Sequence, residues 1–156
     1  MYRRLTSTVA IGFAAIALVL GSGISSAETL VAYEIVDEIS IPEPLTDQPG
    51  DPVKGREVAI NRKKGNCLAC HNMPIPEQSF HGETGPDLNG VGSRYEIGEL
   101  RLRVVDPKVI NPDTMMPAFY RADGYHRVAK KFQGKTILSA QEVEDLLAYL
   151  MTLKEE

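Results

Sequence analysis

Cys67-Leu68-Ala69-Cys70-His71 sets two thiols three residues apart and an imidazole directly after the second. A Cys-x-x-Cys-His run is how a polypeptide attaches haem covalently and ligates its iron. Both cysteines must reach the two vinyl groups on one edge of the porphyrin, while the next residue must project over the metal. A tight turn opening into a helix meets all three demands. The competing readings are a Cys67–Cys70 disulfide, a thioredoxin-like pair and a lone zinc site. A thioredoxin-like pair sits in a βαβ frame after a strand, whereas Gly65-Asn66 precedes this one and no β-branched run does. Zinc needs a fourth ligand, and His81 and His126 are the spare imidazoles, at irregular spacing. One covalent haem c, bound through Cys67 and Cys70 with His71 on the iron, is therefore the reading carried forward.

The N-terminus says where such chemistry takes place. Met1-Tyr2-Arg3-Arg4 is followed by an uncharged stretch from Leu5 to Ala27, with an apolar run from Val9 to Leu20 and a Ser25-Ser26-Ala27 exit. That is the order of a secretory signal peptide, and the apolar run falls short of the roughly 18 residues of a spanning helix. Cleavage after Ala27 is expected, with export to the periplasm, where bacteria attach c-type haem. Removing residues 1–27 takes away Arg3 and Arg4 and no acid, lowering the net charge from −4 to −6. Such an acidic chain is no nucleic-acid binder, and no membrane contact is expected once the signal is gone.

The remaining 129 residues suit one domain. They contain no Trp and only a few Phe, and a porphyrin supplies the apolar bulk that is missing. Residues 28–50, acidic and broken by Pro42, Pro44 and Pro49, read as an extended leader. Its Val31, Tyr33, Ile35, Ile39 and Ile41 are candidates for a partner-binding strip. The domain proper spans residues 51–156. Asp51-Pro52 is an N-cap with proline at the first helical position, opening a helix expected to run to about Lys64, where Gly65 stops it. Gly55 costs about 1 kcal/mol inside a helix and suggests close approach of another backbone or ring, with Tyr149 the expected neighbour. A helix from about Ile97 to Val105 ends before Asp106-Pro107. Ser139-Ala140-Gln141-Glu142 is a capping box, followed by Val143, Leu146, Leu147, Leu150 and Leu153 at helical spacing, with Glu142, Glu144 and Asp145 favouring the helix dipole. The expected fold is all-α: helices and long loops wrapped around one haem.

An iron held by His71 needs a sixth ligand if it is to shuttle electrons without binding small molecules. Met115 and Met116 are the candidates, since a thioether favours the reduced iron; as ordinary core residues they would fill space instead. The chain resembles class I cytochromes c, whose Pro-x-Thr-x-Met pattern lands on Pro112, Thr114 and Met116; Met116-Pro117 agrees with it. This resemblance implies that Met116 is the sixth ligand. It also implies that the carbonyl of Pro86, in Gly85-Pro86-Asp87-Leu88, accepts a hydrogen bond from His71, fixing its ring, and that Arg94 lies near a haem propionate; an exposed Arg94 with no such role is the plain alternative.

A narrower resemblance covers nearly all of residues 51–156. Together with the haem motif and Gly85-Pro86-Asp87-Leu88, the blocks Ile97–Asp106, Asn111–Arg121 and Gly134–Asp145 resemble the SoxX family, mono-haem subunits of sulfur-oxidising SoxAX complexes. The resemblance implies a heterodimer with the cytochrome SoxA that joins thiosulfate oxidatively to a cysteine of the SoxYZ carrier, an L-cysteine S-thiosulfotransferase, and a downstream cytochrome that accepts the electrons. Both cysteines of this chain are consumed by haem, so it offers no catalytic thiol and no catalytic residue of its own. Electron relay is its expected part. A stand-alone periplasmic electron carrier would share every haem residue, and a gas or redox sensor would leave the sixth position open. Isolated His81 and His126 read as bystanders.

Overall fold

A computed structural model describes residues 30–155. The proposed signal peptide, residues 1–27, lies outside the described residues, 30–155. These residues form four α-helices in the order α1 (Pro52–Ile60), α2 (Val91–Arg94), α3 (Ile97–Val105) and α4 (Ala140–Thr152), with short 3₁₀ turns at Cys67–Ala69 and Lys130–Phe132. Among the described residues the sole β-type pairing is an isolated bridge between Val36 and Ser40. The all-α expectation holds.

Local chemistry explains the helix limits. The Asp51 carboxylate accepts the Val53 and Lys54 N–H groups at 2.9 and 3.4 Å, and Pro52 follows at the first helical position. The helix stops at Ile60 rather than near Lys64, because Asn61 turns extended and its Oδ1 accepts the Lys63 N–H at 2.9 Å, the local bond that makes asparagine a turn residue. The chain then folds back over the helix end, with the Gly65 N–H donating to the Val58 carbonyl at 3.2 Å. A Cβ at Gly65 would press on that carbonyl. Helix α3 spans the expected residues, opened by a reciprocal Glu96–Glu99 cap.

Helix α4 starts at the anticipated capping box: Ser139 Oγ accepts the Glu142 N–H at 3.2 Å, and Glu142 accepts the Ser139 N–H at 2.9 Å. Lys64 also reaches Glu142, tying this helix start to the turn after α1. Burial works against the Glu142 charge, but the hydrogen bonds from Lys64 and Ser139 outweigh it and hold the carboxyl below its ordinary value of 4.5. A carboxyl depressed by folding contributes stability that is complete above its unfolded pKa and lost as pH falls through the folded one. Glu142→Gln is therefore expected to cost about 1 kcal/mol at neutral pH, the worth of a cap, and to flatten the acid limb of the stability profile below pH 4.5. Urea unfolding at pH 7 and pH 3.5 measures both.

Helices α1 and α4 cross as the principal helix pair, and α2 and α3 also pack on α4. Gly55 sits at the crossing, where a Cβ would overlap the backbone of Asp145 and Leu146. The neighbour that requires glycine is thus backbone one turn before Tyr149, not the Tyr149 ring. Val58, Leu102, Val105, Val143, Leu146, Leu147 and Leu150 fill the core around this contact.

The leader contributes to that core from its C-terminal half. Ile41 and Leu45 are buried, the Ile41 N–H donates to the Gly98 carbonyl at 3.0 Å, and farther up the Val31 N–H donates to Tyr120 Oη at 3.0 Å. Ile41 thus packs inside its own domain rather than on a partner strip, while Leu30, Val31, Val36 and Ile39 stay exposed. Glu144 and Asp145 hold this arrangement. Both are buried, Glu144 accepting the Leu45 N–H at 2.9 Å and Asp145 the Asp51 N–H at 2.8 Å. Glu144 thus fastens the leader, and Asp145 the start of α1, to α4, and neither is a surface charge along a dipole. No helix among the described residues is long and apolar enough to cross a membrane.

Candidate haem site

The haem motif lies in the 3₁₀ turn after α1. Asn66 enters it in the left-handed region, φ 48°, and the Cys70 and His71 N–H groups both donate to the Cys67 carbonyl, at 3.1 and 2.9 Å. That double closure is tighter than the helix expected after the motif, and it brings both thiols and the imidazole into one turn. The two sulfurs are not bonded to each other. Burial pushes the Cys67 thiol up to about 12, so as a free thiol it would stay protonated at neutral pH, unsuited to nucleophilic or redox exchange.

A second segment, residues 82–88, runs alongside. The Gly82 N–H donates to the Leu68 carbonyl at 2.8 Å, the Gly85 N–H to Cys70 at 2.7 Å and the Leu88 N–H to Asn72 at 2.9 Å. Two glycines permit the approach: a Cβ at Gly82 would overlap the Ala69 carbonyl, and one at Gly85 would overlap the His71 ring. His71 Nδ1 lies 2.6 Å from the Pro86 carbonyl oxygen. With Nδ1–H donating there, Nε2 carries the lone pair and is free for a metal. Asn72 clamps the segment by donating to Asp87 at 2.7 Å; this bond and the N–H of Asn89 hold the Asp87 carboxyl below its usual range. Arg94 donates to the carbonyls of Asp87, at 2.6 Å, and Asn89, and pairs loosely with Glu155 at 3.8 Å. Its guanidinium thus ties down the loop leading away from Pro86.

The methionine loop separates its two candidates. Lys108 Nζ donates to the Thr114 carbonyl at 2.7 Å, and Thr114 Oγ1 accepts the Met116 N–H at 3.2 Å. So held, the loop exposes 78% of Met115, while Met116 is partly buried and packs on the same apolar cluster as Cys67. His81 is taken up locally, its ring nitrogens within hydrogen-bonding reach of Asn72, the Met73 N–H and the Ile75 carbonyl.

The glycine-backed imidazole with one nitrogen occupied, the two unbonded thiols beside it and the partly buried Met116 thioether all fit a covalently held haem. Residues 53–154 match the family model described as Cytochrome c. The chain belongs to the cytochrome c family. It carries one haem c, bonded through Cys67 and Cys70. It is 38% identical to a chain in the crystal structure of SoxXA from P. pantotrophus, with a TM-score of 0.71, over 80% of this chain and 95% of that one; this agrees with the SoxX resemblance read from the sequence. Cytochrome c-550 of Bacillus subtilis (strain 168) is 31% identical over 55 residues, which span 35% of this chain and 42% of that relative.

Sequence reasoning missed two site residues. Asn72 follows His71 directly but belongs to no motif, and the Gly82–Leu68 bond depends on a backbone approach between segments that nothing in the sequence marks except the residue type, glycine.

Proposed function

We propose that this cytochrome is the mono-haem electron-transfer subunit of a SoxAX-type complex in the periplasm, exported by residues 1–27 and paired with SoxA. The observation that carries the proposal is the likeness to a SoxXA chain across 95% of that chain's length, well beyond the haem motif. His71 and Met116 are the proposed iron ligands. In the proposed reaction a SoxYZ cysteine thiol and thiosulfate form a sulfur–sulfur bond, releasing one proton and two electrons. The reactive thiol belongs to SoxA or SoxYZ, since both cysteines here hold haem. When bound, the haem supplies a one-electron couple. This chain's residues keep that couple rigid: Pro86 fixes the His71 ring, and the Thr114 turn presents Met116, so that little rearranges when the charge changes. A downstream cytochrome takes the electrons onward. The exposed apolar side chains of the leader, Val31, Val36 and Ile39, are proposed to lie against SoxA.

The haem-loaded protein, matured in a periplasm together with SoxA, is expected to purify as a heterodimer, to have lost 27 residues and gained one haem by mass, and to show haem reduction when SoxYZ and thiosulfate are added. A monomer with no thiosulfate-dependent reduction in the complete system would make it a stand-alone carrier instead.

A further inference from the structure

Charge is distributed unevenly over this acidic chain. Residues 121–137 contain Arg121, Arg127, Lys130, Lys131 and Lys135 against the single acid Asp123, a net +4, whereas the whole chain carries −4 and so its remainder −8. Arg121 is neutralised by Asp106 at 2.7 Å and lies over the Tyr125 ring. Among the described residues the other four cations enter no ion pair. Exposed apolar groups lie among them: Phe132, exposed to 57%, Ile137 and Tyr125.

The segment is a closed loop. The N–H groups of Ile137 and Leu138 donate to the Phe119 carbonyl at 3.0 and 2.9 Å, and Tyr125 Oη donates to the Ala118 carbonyl at 2.9 Å. At its tip the Lys130–Phe132 turn and the Lys135 N–H bond to Phe132, at 3.2 Å, gather three lysines into one knuckle. The base of the loop is therefore anchored two and three residues beyond Met116. Seventeen residues without an α-helix is long for a connection in a compact domain, where loops of that length are either functional or linkers, and the bonds to Phe119 and Ala118 make this one an anchored loop rather than a linker.

We propose that residues 121–137 are the docking surface for an acidic redox protein that exchanges electrons with the haem from the Met116 side. The proposal rests on the electron-relay reading and adds the place and the charge of the partner. Exposed aromatic and aliphatic groups interspersed along the segment with cations that enter no ion pair have the composition of a protein interface with apolar contacts and charged surroundings, in which opposite charge steers the encounter. The segment's only helical turn has three residues, too short to lie in a lipid interface as an amphipathic helix.

The test uses the haem-loaded protein and an acidic flavodoxin as the partner probe. The anionic flavin hydroquinone gives one electron to the ferric haem and becomes the neutral semiquinone. At low ionic strength Lys130→Glu/Lys131→Glu is expected to slow this transfer about 10-fold or more and to weaken calorimetric binding of oxidised flavodoxin by a similar factor. Lys54→Glu/Arg62→Glu, with the same change in net charge on the α1 side, is expected to change either value less than 2-fold. The native rate should fall as salt is raised. Equal effects of the two double variants, or none from either, would overturn the docking surface. So would binding to phosphatidylglycerol vesicles, or self-association in sedimentation, that the lysine variant abolishes while flavodoxin binding stays native. A haem that dithionite cannot reduce, or no haem at all, would sink the relay reading itself; a reducible haem indifferent to the loop charges counts against the loop alone.

Discussion

Met116→Ala is expected to abolish the sulfur-to-iron charge-transfer absorption of the oxidised protein and to lower its reduction potential by on the order of 0.1 V or more, a modest share of the roughly 0.8 V that axial ligation commands. Met115→Ala should change neither. The adjacent thioethers differ in placement: Met115 is 78% exposed, and Met116 is partly buried against the apolar cluster. The bonds from Lys108 and the Met116 N–H to Thr114 hold the turn that carries both methionines. With the thioether gone the iron becomes five-coordinate or takes water, and its affinity for added ligands such as azide should rise. Visible absorption and film voltammetry of the three proteins decide the matter. Retention of the band in Met116→Ala and its loss in Met115→Ala would reverse the assignment.

The sequence revealed the parts of this site that consist of residue type at fixed spacing. Cys67, Cys70 and His71 are contiguous, and helix α4 announces itself through its Ser139–Glu142 cap and the spacing of Val143, Leu146, Leu147 and Leu150. What depended on tertiary approach was hidden. Gly55 signalled a close contact, but nothing in the chain said that the partner was the Asp145 backbone rather than Tyr149. Arg101 was harder still to see: in Glu99-Leu100-Arg101-Leu102-Arg103 it alternates with leucine like a surface charge, and Glu144 looked like dipole compensation. Burial of such a pair depends on two segments that meet only in the folded molecule. Ile41 leaves the expected partner strip for the same reason, since an acidic, proline-rich composition does not tell which of the leader's apolar residues the core absorbs, and it absorbs Ile41 and Leu45.

That hidden pair carries the largest stability effect expected here. Arg101 and Glu144 are 2% and 5% exposed and form a bidentate pair at 2.8 and 2.9 Å. The remaining donors of Arg101 reach the carbonyls of Ile41 at 2.7 Å and Pro42 at 3.1 Å, and Glu144 also accepts the Leu45 N–H. Three segments, the leader, α3 and α4, thus meet at one satisfied cluster. Arg101→Met leaves a buried carboxylate without its cation, which costs about 3–5 kcal/mol, a large part of the roughly 5–15 kcal/mol that holds a domain together. The midpoint of urea unfolding should fall accordingly, and protease should cut between Ser40 and Pro49 well before the domain unfolds. Adding Glu144→Leu removes the stranded charge and should restore part of the loss, but not all, because the Ile41 and Pro42 carbonyls and the Leu45 N–H stay unpaired. A single variant within about 0.5 kcal/mol of native, the range of ordinary surface changes, would show that the cluster holds nothing. The same cluster governs how docking of the leader to SoxA must be tested. Deleting residues 28–50 would remove Ile41 and Leu45 from the core as well as any docking strip, so weaker pairing with SoxA would follow from either cause. Ile39→Asp changes only an exposed side chain; native stability with at least 10-fold weaker SoxA binding would place the leader in the interface, and native binding would leave it a fastening of this domain alone.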